Sequence, residues 1–222
     1  MTVARPSPNH DARPAGGAID MLLLHYTGMT SAEAALSRLC DAAAKVSAHY
    51  LIDEGGGVYA LVAEERRAWH AGVACWAGEE DINACSIGIE LVNPGHEFGY
   101  RAFPQAQMDA VTELCLDILR RHPIPGHRVL GHADVAPGRK EDPGELFDWA
   151  ALAAAGIGLW PAKAQGSGSA AGALARFGYD VSGAGLAACA TAFQRHWRPK
   201  NIDGAMDSEC LELLAGLLDT AT

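Results

Sequence analysis

Apolar positions along the chain fall into short unbroken runs and longer stretches with helical spacing. Met21-Leu22-Leu23-Leu24 opens a run that ends at His25-Tyr26, just before Thr27-Gly28. A run this short, closed by a turn signal, predicts a buried strand over 19–26. Thr30-Ser31-Ala32-Glu33 has the form of a capping box. It predicts a helix to about Cys40 with Ala34, Ala35, Leu36 and Leu39 on its apolar face. Residues 49–52 and 58–62 flank Gly55-Gly56-Gly57 and predict two strands joined by a glycine turn. Residues 86–92 predict another strand. Residues 104–121 carry Met108, Val111, Leu114, Cys115, Ile118 and Leu119 at helical spacing behind Pro104, which suits a first helical turn. A short strand over 128–131 runs into His132. Strands and helices in alternation imply an α/β domain.

The flanks read differently. Residues 1–18, rich in Pro, Gly and Ala, predict an irregular arm, which leaves 19–160 as the α/β domain. Pro, Ala, Gln, Gly and Ser dominate 161–173, the composition of a linker. Residues 174–222 form a small helical domain with apolar segments at 174–179, 186–197 and 210–218.

Composition narrows the partners. Seventeen Lys and Arg against 27 Asp and Glu leave a net charge of −10 over 222 residues. That balance disfavours a nucleic-acid backbone or an anionic membrane surface as partner. The apolar runs fall far below the roughly 20 residues of a membrane-spanning helix, so no membrane insertion is expected. Pro and polar residues stand where a secretory signal would place its apolar region, which favours the cytoplasm. Six cysteines include no CxxC pair. Cys115 sits within an apolar helical pattern, so the cysteines read as reduced thiols.

Nine histidines supply the candidate chemistry. His10, His96, His122 and His127 fall in loops, His49 reads as a packed core group, and His196 as a surface residue. His25 and His132 differ because each terminates an apolar strand, where α/β folds collect reactive side chains. Asp134 and Asp142 follow the second histidine within Gly131–Gly144. Two neutral imidazoles and one carboxylate would make an open catalytic zinc set. The residues alone do not choose between the two carboxylates, since Asp134 could equally cap the turn before Pro137. Glu90 shares a strand face with Gly88 and Val92. A carboxylate there must be paired or used, as a buried ion pair or as a general base. Lys140, between Arg139 and Glu141, would by itself be an ordinary solvated lysine.

Taken together, several ordered segments resemble the zinc-dependent N-acetylmuramoyl-L-alanine amidases of the AmpD/AmiD type, which are themselves similar to peptidoglycan-recognition proteins. The carriers are His25-Tyr26-Thr27-Gly28, residues 46–52, Ala68-Trp69-His70-Ala71-Gly72, residues 83–93, residues 131–144, and Phe147-Asp148-Trp149. The resemblance implies a mixed central sheet flanked by helices. It implies Zn2+ held by His25, His132 and Asp142, which would settle the choice against Asp134. It makes Glu90 the acidic catalytic residue and Lys140 its basic partner, with Trp69, His70 and Asn83 in the substrate groove. The reaction implied is hydrolysis of the amide between N-acetylmuramic acid and the L-alanine of the stem peptide. Glu90 would take the proton of the attacking water and pass it to the leaving amine, while zinc and Lys140 stabilise the oxyanion. Glu145-Leu146 departs from the family wording, where a further proline is common. Residues 176–180, 192–197 and 202–207 resemble a three-helix peptidoglycan-binding domain, although their aromatic residues also suit a stabilising core.

The expected partners are therefore muropeptides, in 1,6-anhydro form if the chain recycles wall fragments in the cytoplasm. A peptidoglycan-binding tail would instead suit the cell envelope. The competing readings are a recognition module without catalysis, which would not need an open zinc set, and a thiol hydrolase built on Cys85 or Cys75.

Overall fold

The computed structural model describes residues 2–166 and 168–220. Its strands are β1 (Thr2–Ala4), β2 (His10–Ala12), β3 (Met21–Tyr26), β4 (Tyr50–Ile52), β5 (Val58–Ala60), β6 (Arg66–Ala68), β7 (Ser86–Leu91) and β8 (Val129–Gly131). Between and after them lie α1 (Ala32–Cys40), α2 (Ile82–Cys85), α3 (Gly95–Phe98), α4 (Gln105–Arg121), α5 (His132–Val135) and α6 (Trp149–Ala154). Helices α7 (Ala170–Phe177), α8 (Val181–Ala184), α9 (Leu186–Trp197) and α10 (Ser208–Thr220) follow. Among the described residues, six strands form one mixed sheet in the order β1-β5-β4-β7-β3-β8, and β2 pairs with β6 in a separate ribbon. Within the large sheet β4 and β5 run antiparallel and the other neighbours run parallel. This is the expected α/β architecture, a mixed central sheet flanked by helices.

Both faces of β3 and β7 are covered, which is why their sequences read as continuous apolar runs. Leu22, Leu24, Ile87, Ile89 and Leu91 face one way and pack against Met108, Val111, Cys115 and Ile118 of α4 and Trp149 and Leu152 of α6. Met21, Leu23 and Leu130 face the other way. They join one cluster with Leu174, Phe177, Phe193, Trp197 and Leu214 of the C-terminal helices. On that same face, Leu51 and Val92 pack under Leu36 and Leu39 of α1. His25, Glu90 and His132 stand beyond these apolar residues, at the carboxyl ends of β3, β7 and β8.

Several expectations need correction. Residues 1–18 are not an irregular arm: β1 adds to the edge of the large sheet and β2 to the ribbon. These strands are largely exposed, so they carry no apolar alternation for sequence reading to detect. The Arg13 guanidinium then donates to the carbonyls of Glu64, Asn83, Ala84 and Ser86 at 2.7–3.1 Å. At α1 the cap is Ser31, whose Oγ accepts the Ala34 N–H, one residue after the cap that a Thr30–Glu33 box requires. His196 is buried, not at the surface. The segment read as a linker lies along α10: the Ala164 N–H donates to the Glu212 carbonyl at 3.0 Å. A Cβ at Gly216 would stand 1.8 Å from the Ala162 carbonyl oxygen, so only glycine admits the segment there.

Candidate metal centre and catalytic cleft

Parallel pairing sets His25 of β3 directly beside Glu90 of β7, and Leu24 beside Gly131, the residue before His132. Residues paired across parallel strands point to the same face, so the sheet alone delivers two of the three groups to one place. The loop after α5 returns Asp142 to them, and the Ala133 N–H donates to the Asp142 carbonyl at 2.9 Å. His25 Nδ1, His132 Nδ1 and Asp142 Oδ2 then stand 2.9–3.0 Å from one another, all three residues being buried.

The far side of each ring decides which nitrogen carries the proton. His132 Nε2 lies 2.8 Å from the Ala71 carbonyl, an acceptor, so this nitrogen donates and Nδ1 is bare. For His25 the assignment runs through a chain. The Ser86 hydroxyl donates to the Ile82 carbonyl and so accepts from His70 Nε2 at 3.3 Å. His70 Nδ1 must therefore accept, and His25 Nε2 donates to it at 3.1 Å. Both Nδ1 lone pairs and a carboxylate oxygen thus converge on one point. Three acceptors so close repel one another unless a cation sits among them, and the two-imidazole, one-carboxylate set is that of an open zinc site. Burial, and then the proximity of His132, hold His25 down to about 4, in the neutral form a metal requires.

Asp134, the alternative carboxylate, points away. Its Oδ2 accepts the Gly131 N–H at 2.8 Å, so it caps α5 at the front instead of the turn before Pro137. Glu90 is 9% exposed, and its Oε2 has no hydrogen-bond partner among the described residues. Burial raises it well above the ordinary carboxylate range and Asp142 raises it further, against the opposing charge of Lys140. A cleft of about 380 Å³ opens over these groups, lined by His70, Glu90, His132, Lys140 and Asp142 with Thr27 and Met29 at its side.

The three remaining expected groove residues separate. His70 lines the cleft while supporting His25. It fits only because residue 88 is glycine: a Cβ there would lie 2.5 Å from His70 Cγ. Asn83 turns away from the cleft, its Oδ1 accepting the N–H groups of His70 and Ala71 at 2.9–3.0 Å. It thereby fixes the carbonyl that orients His132. Trp69 is half-buried, and its backbone pairs with Ser47 on both sides. Sequence reading missed Arg139, which reaches the Ala71 carbonyl at 2.7 Å. Burial raises the thiols of both Cys75 and Cys85, the latter to about 11, which disfavours a thiolate nucleophile at neutral pH.

Comparison with known proteins identifies the family. Residues 15–145 match the N-acetylmuramoyl-L-alanine amidase family. N-acetylmuramoyl-L-alanine amidase AmiD of Escherichia coli is 36% identical, over 90% of this chain and 83% of its own. The chain belongs to the N-acetylmuramoyl-L-alanine amidase family. Another member, 1,6-anhydro-N-acetylmuramyl-L-alanine amidase AmpD of Escherichia coli, is 35% identical over 65% of this chain and 86% of its own. The solved AmpDh3 of Pseudomonas aeruginosa, in complex with anhydromuramic pentapeptide, superposes with a TM-score of 0.83. It is 35% identical and the match covers 93% of each chain. That superposition takes in the C-terminal helices, which lie beyond the family match. Among the described residues, no helix is long and apolar enough to cross a membrane.

Proposed function

We propose that this N-acetylmuramoyl-L-alanine amidase works with zinc held by His25, His132 and Asp142, and that Glu90 and Lys140 are its catalytic residues. The observation that carries the reading is the convergence of His25 Nδ1, His132 Nδ1 and Asp142 Oδ2 beside a buried, unpartnered Glu90 oxygen. The bond broken joins the lactyl carbonyl of N-acetylmuramic acid to the nitrogen of L-alanine. Bound by these ligands, zinc supplies Lewis acidity that polarises the carbonyl and lowers the pKa of water from ~15.7 toward ~7. Glu90 takes a proton from the attacking water and delivers it to the alanine nitrogen as the C–N bond breaks. The products are the free lactyl carboxylate and the stem-peptide amine. A carboxyl raised by burial is suited to both halves of that transfer. Lys140, a cation lining the same cleft, donates to the oxyanion of the tetrahedral intermediate.

The substrate we assign is an anhydro-muropeptide, the chemistry that names AmpD and that AmpDh3 holds in its complex. We place the reaction in the cytoplasm, in recycling of wall fragments. Buried free thiols support this, Cys115 packed in one apolar cluster and Cys189 and Cys210 in another. The test is zinc content together with hydrolysis of anhydro-muropeptide and of intact sacculi, each with and without chelator. Chelator-sensitive release of stem peptide from the anhydro-muropeptide alone is expected. Comparable cleavage of sacculi would move the enzyme to the envelope, and no cleavage by zinc-loaded protein would leave a recognition module.

A further inference from the structure

The C-terminal helices, which resemble a wall-binding module and also suit a stabilising core, hold both chain segments that carry the second and third candidate metal ligands. Near the second ligand, the Tyr179 hydroxyl donates to Asp134 Oδ1 at 2.6 Å and His196 Nδ1 donates to Asp134 Oδ2 at 2.7 Å. The same Oδ2 caps α5, whose first residue is His132. The His196 ring lies between Trp149 at 3.8 Å and Trp197 at 3.6 Å, nearly parallel to both. Trp149 in turn packs on Gly131. Near the third ligand, Arg195 donates to Glu141 Oε1 at 2.6 Å and reaches Glu145 Oε2 at 3.8 Å. Those two carboxylates flank the Asp142-Pro143-Gly144 segment. Glu145 also pairs with His96, itself bonded to the hydroxyl of Tyr26, the neighbour of His25.

Three polar side chains, Tyr179 before α8 and Arg195 and His196 within α9, thus grip the chain on either side of the ligand set. Tyr179 and His196 are buried, and the Tyr179 hydroxyl and His196 Nδ1 both bond Asp134. A domain that served only to bind the wall would need apolar packing against the sheet. It would not need these contacts to the two ligand-bearing segments. We propose that Tyr179, Arg195 and His196 are positioning residues for the metal site, setting the separation of His132 and Asp142 from outside the amidase sheet. This rests on the zinc reading above. The bundle is then part of the catalytic machinery by geometry, whatever else its outer surface binds.

The experiment uses the full-length, zinc-loaded chain and follows zinc release to a chromogenic chelator alongside kcat and KM. Tyr179→Phe removes one hydroxyl and keeps the ring. Arg195→Ala removes a half-exposed ion pair, and Arg195→Lys restores its charge. Groups that touch metal ligands directly change metal affinity by ~10–100-fold, so these more distant ones are expected to speed zinc release by roughly 5–10-fold. The effects should multiply in the double variant, with kcat falling and KM holding, and Arg195→Lys should recover part of the loss. Release rates and kcat within twofold of the parent in both single variants and the double would overturn the proposal, even with a lowered melting temperature. Should either single variant fail to fold, the other decides alone. A parent chain that takes up no zinc refutes the proposed function itself, a result distinct from normal release by the variants.

Discussion

The Nδ1 atoms of His25 and His132 face each other at 2.9 Å, and the bonds made by the far side of each ring leave both without a proton. Two imidazoles arranged this way act together only through a shared cation. His25→Ala and His132→Ala should each abolish stoichiometric zinc uptake, measured by elemental analysis after dialysis, and bring hydrolysis below detection. Either variant retaining one zinc per chain would refute this ligand set.

His70 acts on the metal through His25, and Gly88 makes room for it. Gly88→Ala therefore has a predictable consequence far from any ligand in sequence. The added methyl must displace the His70 ring, which frees His25 to rotate and to exchange its tautomer. Zinc affinity should fall by ~10–100-fold, the usual cost of losing a supporting hydrogen bond behind a metal-bound histidine. His70→Ala should match it. Competition titrations against a chelator of known affinity would show the loss, and unchanged affinity in both would mean that His25 is held by the sheet alone.

Glu90 is adjacent to His25 in the sheet and absent from the converging ligand atoms. Glu90→Gln should leave zinc content intact while lowering turnover by ~10²–10⁴, the range for a positioned acid–base group. Loss of zinc together with activity would instead make Glu90 a structural support of the centre.

Much of the fold is legible in the sequence. The strands that carry His25 and Glu90 are buried on both faces, so β3 and β7 stand out as apolar runs, and these two polar residues that interrupt them are conspicuous for that reason. What stayed hidden depends on contacts between residues far apart in sequence. The choice of Asp142 over Asp134 came from family resemblance. Its physical reason is that Asp134 is already committed to Gly131, Tyr179 and His196, the last two 45 and 62 residues away. His196, in the small C-terminal segment, read as a surface residue because nothing local reveals Trp149 on its ring or the Asp134 carboxylate at its Nδ1. The strands β1 and β2 were invisible because exposed edge strands need no apolar alternation.

Arg13 is the clearest stability determinant in the segment expected to be irregular. Its guanidinium bonds four backbone carbonyls, those of Glu64, Asn83, Ala84 and Ser86, in partly buried hydrogen bonds. Arg13→Ala removes the donors and leaves the acceptors behind, which is costlier than removing both. A loss of about 3 kcal/mol is expected, seen as a fall of roughly 6–12 °C in Tm for a chain of this length. A change below about 2 °C would show that water replaces the guanidinium without penalty.

His49 gives the fold a specific acid sensitivity. Its Nδ1 accepts the Gly88 N–H at 2.9 Å and its Nε2 donates to the Arg66 carbonyl at 3.1 Å, so the neutral ring is fully used. Burial first, and then the Arg13 guanidinium 3.0 Å away, hold it down to about 3. Above pH ~6.5 neither folded nor unfolded chain protonates this residue, and its contribution to stability is whole. As pH falls from ~6.5 toward 3, the unfolded chain takes a proton that the folded chain refuses, and stability drops by up to about 1.4 kcal/mol per pH unit. His49→Asn keeps an acceptor for the Gly88 N–H and cannot titrate. Urea midpoints of the chelator-stripped proteins at pH 7, 6 and 5 should therefore fall more steeply for the parent than for this variant. Parallel curves would mean that His49 is protonated in the folded chain at these pH values, and that the Gly88 contact does not hold the ring neutral.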